Sequence, residues 1–167
     1  MAIRVLVAEG ELLIIQTIAS ALGAAGCEVI GVARLLATPV PGQKLRFLKP
    51  NTDYTGTEQG ELDLSDQPID VAFLDYNIGT PNADTLIPVL GKANAFCIGL
   101  SDHPEGQAAL FRAEPGVHIA LTRKTDLGSL LLGKLGAGSL VWRDDYDVGR
   151  DGVVVLDLLY KQFGARR

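Results

Sequence analysis

Five short apolar runs recur along this chain, and the residues between them decide the fold. The runs are "IRVLVA" (3–8), "EVIGVA" (28–33), "VAFLD" (71–75), "AFCIGLS" (95–101) and "VHIALT" (117–122). Each is continuous rather than alternating, so each reads as a strand buried on both faces, as in a parallel sheet. The first gap, Glu11 to Leu22, carries Leu12, Ile15, Ile18, Ala19 and Leu22 at helical spacing and ends in "GAAG", where glycine accepts the left-handed turn that closes a helix. Later gaps predict helices at Asp84–Leu90, which contains Pro88, at Glu105–Ala113, stopped by Pro115-Gly116, and after Asp126 in "LGSLLLGKL", with Asp126 as the cap. Strands alternating with helices predict an α/β fold: a doubly wound, five-stranded parallel sheet with flanking helices.

Two segments depart from that alternation. Residues 34–70 hold Pro39, Pro41, Pro50 and Pro68 and no apolar helical stripe. They are expected to form a long, atypical loop insertion with a short hairpin, "KLRFLK" against "GELDL", and no regular second helix. Residues 139–167 form a C-terminal extension. It is expected to be helical from Val153 to Phe163, capped by Asp151 and packed on the same domain, residues 1–138. At 167 residues the chain suits one domain.

Composition narrows the function. The net charge of −5 opposes nucleic-acid binding and offers no attraction to anionic lipid. No apolar stretch is long enough to span a membrane, and "MAIRVLVAEGELL" lacks the pattern of a signal peptide, so a cytoplasmic location is expected. Cys27 and Cys97 sit in apolar runs and are expected to be buried thiols. His103 and His118 lack paired metal-ligand spacing. "DYDVGRDG" (145–152) fails as a calcium loop, because the twelfth position from Asp147 is Leu158.

In an open parallel sheet, sites form beyond the carboxyl ends of the strands. Here those ends carry Glu9-Gly10-Glu11, Asp75-Tyr76-Asn77, Ser101-Asp102 and Thr122-Arg123-Lys124. Clustered carboxylates and a carbonyl suit a hard cation such as Mg²⁺. A carboxylate is also a nucleophile toward a phosphoryl group, whose oxygens a hydroxyl and a cation can hold.

The same residues resemble the receiver domain of bacterial two-component response regulators, a flavodoxin-like, CheY-like fold. "RVLVAEGELLI" looks like the opening strand and acidic turn, "DVAFLDYNIG" like the phosphoacceptor strand, "FCIGLS" like the strand presenting the switch hydroxyl, and "ALTRKTDL" like the strand presenting the lysine. The resemblance covers about residues 3–135 apart from 34–70. It implies Asp75 as the phosphorylated aspartate, Glu9 and the Asn77 carbonyl as Mg²⁺ ligands with Asp75, Ser101 as the switch hydroxyl, and Arg123 or Lys124 in the lysine role. It implies self-phosphorylation and dephosphorylation at most as enzyme activity. Its implied partners are a histidine kinase or phosphotransfer protein and a downstream protein target, without nucleic acid or membrane; a homodimer through the last helix is a further candidate.

Four departures weigh against full activity. By alignment Arg123 sits at the family's lysine position and Lys124 at the proline that follows it. Gly10 stands where the family has a second acid. Ala120 stands at the aromatic switch position. The second helix is missing. A degenerate pseudo-receiver, signalling by protein contact alone, is therefore the alternative. A flavin or nucleotide binder is the weakest reading, because no glycine-rich phosphate loop follows the first strand.

Overall fold

The structure is a computed structural model, and it describes residues 3–24, 26–92, 95–101, 103–112, 119–121 and 140–142. The first four predicted strands are present as β1 (Arg4–Ala8), β2 (Glu28–Val32), β6 (Val71–Leu74) and β7 (Phe96–Gly99). All pair in parallel, in the order β2-β1-β6-β7. A three-residue strand, β8 (Ile119–Leu121), continues the sheet parallel to β7, and β9 (Leu140–Trp142) closes it antiparallel to β8. β9 falls in the segment expected to be a packed helical extension. Three residues are too few to produce a period that sequence reading could detect. The helices expected after Asp126 and at Val153–Phe163 lie outside the described residues, as do Arg123 and Lys124.

Alternate side chains of the buried strands point to opposite faces, and two cores follow. On one face Val5, Val7, Val71, Phe73 and Ile98 pack against Ile15, Ile18 and Leu22 of α1 (Leu12–Ala24). On the other, Leu6, Ala8, Ala72, Leu74 and Cys97 meet a 3₁₀ turn at Ala83–Leu86, helix α2 (Ile87–Lys92) and Leu110 of α3 (Pro104–Arg112). α2 begins one residue before Pro88, which sits in its first turn, where a missing amide costs nothing. α3 likewise opens on Pro104.

The segment 34–70 is more ordered than a loop insertion. It forms a three-stranded antiparallel sheet of β3 (Arg34–Leu35), β4 (Leu45–Pro50) and β5 (Thr57–Leu62). A hairpin is its core, in the register Leu45↔Leu62 to Pro50↔Thr57, its second strand lying three residues earlier than the expected start at Gly60, and no helix occurs in the segment. The turn between β4 and β5 is closed by Asn51, whose Oδ1 accepts from the Thr55 and Gly56 amides at 3.0 and 3.2 Å. Leu35, Leu45, Phe47 and Leu62 are buried in the second core. The inserted sheet thus covers the face where a doubly wound fold would place its second helix. The Ala33 amide ties it to the end of β2 by donating to the Leu48 carbonyl at 2.8 Å.

Among the described residues, no helix is long and apolar enough to cross a membrane. Both cysteines are buried.

Candidate functional site

Sheet register brings the strand-end residues together. β1 and β6 pair Ala8 with Leu74, so Glu9 and Asp75 emerge side by side. The Asp75 amide donates to the Ala8 carbonyl at 2.8 Å, and the Glu9 amide to the Val32 carbonyl at 3.1 Å. β6 and β7 pair Leu74 with Gly99. The Leu100 amide extends that ladder onto the Leu74 carbonyl at 2.7 Å, which places Ser101 one step further along the next strand. Glu9, Asp75 and Ser101 are the buried polar or charged residues of the described chain, against thirty buried apolar ones. Burying a carboxylate or hydroxyl costs free energy unless it is paired. Three such groups on one sheet edge therefore mark that edge as built for something other than packing.

The acidic turn is shaped locally. Glu9 Oε1 accepts from the Glu11 amide at 3.1 Å, so its carboxylate caps the amide end of α1, where negative charge is favoured. Gly10 is exposed, and a methyl group built there would have the Asn77 carbonyl oxygen, at 3.8 Å, as its nearest neighbour. The Asn77 carbonyl thus lies near the first strand's acidic turn.

Ser101 reaches the turn before α3. Its Oγ accepts from the His103 amide at 3.4 Å and lies 3.5 Å from the His103 carbonyl. Both distances are at the long limit for hydrogen bonds. Gly106, buried on α3, makes room for Ser101. A Cβ there would collide with Ser101 Oγ and stand 3.1 Å from the Cβ atoms of both Ser101 and Tyr76. Sequence reading passed over Gly106; an isolated glycine within the helical pattern "PEGQAALF" was the signal of a close approach.

The described residues hold no group of three or more His, Cys, Asp or Glu side chains placed to bind a metal ion. What they offer a hard cation is two buried carboxylates and one carbonyl. Residue 10, having no side chain, puts no atom of its own between the turn and that carbonyl. That donor set fits Mg²⁺, which commonly keeps several waters and takes only one or two carboxylates.

No family model matches the sequence, and no curated protein matches it. Solved structures do match the fold. The chain is similar to the signal receiver domain of an HD domain-containing protein from Pseudomonas fluorescens Pf-5, with a TM-score of 0.50 at 9% identity over 98% of this chain and 99% of that one. It is also similar to the receiver domain of the Francisella response regulator 1452, with a TM-score of 0.43 at 16% identity over 95% and 97% of the two chains. The expected flavodoxin-like α/β fold, with its first four strands parallel, is therefore the fold of this chain.

Proposed function

We propose that the chain is a signalling receiver that accepts a phosphoryl group on Asp75 from a histidine kinase or phosphotransfer protein and passes the signal to a protein target. The observation that carries this reading is the side-by-side emergence of Glu9 and Asp75 from β1 and β6, with the Asn77 carbonyl over the same turn. A carboxylate oxygen of Asp75 attacks the phosphorus of a phosphohistidine. The P–N bond breaks, the imidazole leaves with the bonding pair and takes a proton, and an acyl phosphate forms on Asp75. Ser101, one strand away, donates its hydroxyl proton to a phosphoryl oxygen, and Arg123 or Lys124 supplies a cation to the others. Glu9, Asp75 and the Asn77 carbonyl would hold Mg²⁺, which when bound neutralises charge developing on the transferred group.

The test is intact-mass measurement with acetyl phosphate and saturating Mg²⁺. Wild type is expected to gain one phosphoryl group, and Asp75→Asn none. A phosphoryl gain by Asp75→Asn would show that the acceptor is another residue.

One observation favours a second reading. Residue 10 supplies no carboxylate, and one Glu9 oxygen already caps α1. A pseudo-receiver that signals by protein contact alone follows if wild type gains no mass under these conditions.

A further inference from the structure

The loop that leaves Asp75 is approached at two points before it reaches the Ala83 turn. Its Asn77 carbonyl lies over Gly10 at the end of β1. Two residues later Gly79 lies beneath Arg34, the first residue of the inserted sheet: a methyl group built on Gly79 would stand 3.4 Å from Arg34 Nε, 3.6 Å from Cγ and 3.7 Å from Cδ. Gly79 has φ +114°, a conformation that glycine alone adopts readily. A side chain at 79 would be strained, so the neighbouring Arg34 supplies the cover that residue 79 cannot.

Arg34 is itself well anchored. It pairs with Leu48 in the inserted sheet, and the preceding Ala33 amide is bound to the Leu48 carbonyl at 2.8 Å. The ion pairs of the described residues are Arg4–Glu28 and Lys49–Glu58, so Arg34 has no carboxylate partner among them. What lies over the loop is the side chain from Cγ to Nε, with Nε nearest, an arrangement in which a long cationic side chain covers backbone while the end of its guanidinium reaches water.

We infer that Arg34 is a positioning residue through which the inserted sheet sets the place of the Asn77 carbonyl. The inference rests on the function proposed above and adds a control to it: an element absent from an ordinary receiver holds the loop that carries a metal-ligating carbonyl. Two effects of Arg34 oppose each other. Its charge disfavours a nearby cation, whereas its stem restrains the loop that must present the carbonyl. The charge is in water and screened within about 8–10 Å at ordinary ionic strength. The restraint is local and acts on the ligand itself, so the stem is expected to win.

The experiment uses Mn²⁺ as the probe in place of Mg²⁺, with binding read by electron paramagnetic resonance. Amide hydrogen exchange at Asn77–Gly79, read by NMR, reports the loop in the same samples. Arg34→Ala is expected to weaken Mn²⁺ binding by up to about tenfold, the equivalent of one backbone residue regaining its freedom, and to speed exchange at Asn77 and Gly79. Arg34→Met keeps the stem without the charge and is expected to bind and exchange as wild type does. Unchanged or tighter binding in Arg34→Ala overturns the inference, and tighter binding would identify charge as the dominant effect. Weakened binding in Arg34→Met equal to that in Arg34→Ala also overturns it. Absence of Mn²⁺ binding in wild type overturns it together with the metal site proposed above. That outcome is distinct from an altered variant beside a binding wild type.

Discussion

Gly10 and the Asn77 carbonyl face one another across the mouth of the candidate site: a methyl group on Gly10 would stand 3.8 Å from that oxygen, with no nearer neighbour. The space admits a methyl group in ordinary contact with that oxygen and lies beside two buried carboxylates, Glu9 and Asp75. The backbone of Gly10 does not need positive φ, so residue 10 can accept a side chain without strain.

Gly10→Asp is therefore expected to be tolerated sterically and to change the site electrostatically. A third anion should strengthen Mg²⁺ binding by on the order of tenfold. It should also cost the metal-free protein roughly 1 kcal/mol through like-charge repulsion. Isothermal titration with Mg²⁺ and urea unfolding with and without the ion measure both. Equal stability and equal affinity would mean that residue 10 does not face the cation.

Gly106→Ala is expected to destabilise the protein although alanine is the better helix former. The overpacking against Ser101 and Tyr76 costs about 1–3 kcal/mol, against a helix-propensity gain of up to about 1 kcal/mol. Because the nearest clash is with Ser101 Oγ, Ser101→Ala should relieve part of it. A double-mutant cycle by chemical denaturation should then show coupling on the order of 0.5 kcal/mol or more. Additive single effects would show that α3 moves away from Ser101 freely.

Phe47→Ala tests whether the inserted sheet belongs to the core. Phe47 is 2% exposed and clusters with Leu6, Ala8 and Leu74 of the parallel sheet. Its truncation is expected to cost about 3–5 kcal/mol of global stability. A separate, earlier transition for the segment 34–70, with the main unfolding midpoint unchanged, would contradict this placement.

Burial pushes the Cys97 thiol up to about 12. In the unfolded chain it titrates near 8.5. The native state therefore keeps its proton where the unfolded state loses it. This stabilisation is fully present below about pH 8.5 and is lost as pH rises from there toward 12. Cys97→Ala is expected to flatten the decline of stability between pH 8.5 and 10. In the native wild type, alkylation at Cys97 should proceed only as fast as unfolding exposes it.

The candidate site was legible in one dimension because strand ends are legible. A continuous apolar run that stops at Asp75 or Ser101 announces both a buried parallel strand and the residue at its carboxyl end. Sheet order then requires those ends to share an edge. The run "IRVLVA" could sit only in a sheet covered on both faces, and Leu12 to Leu22 could form only a helix with one buried stripe. These are local consequences of side-chain periodicity.

Relationships between distant segments were not legible in the sequence. The prolines of 34–70 excluded a helix, and a hairpin of 44–49 against 60–64 was anticipated, whereas its second strand is Thr57–Leu62 and its register was not foreseen. That Leu35, Leu45, Phe47 and Leu62 would replace a helix on the second core depended on the shape of a surface formed by β1, β2 and β6. Gly10 read as a missing acid; only the tertiary structure set it opposite the Asn77 carbonyl. Gly106 and Gly79 carried no reading in the sequence, yet Gly106 admits Ser101 and Gly79 lies beside Arg34. A glycine's meaning depends on what approaches it, and what approaches is decided by packing between segments that local periodicity does not encode.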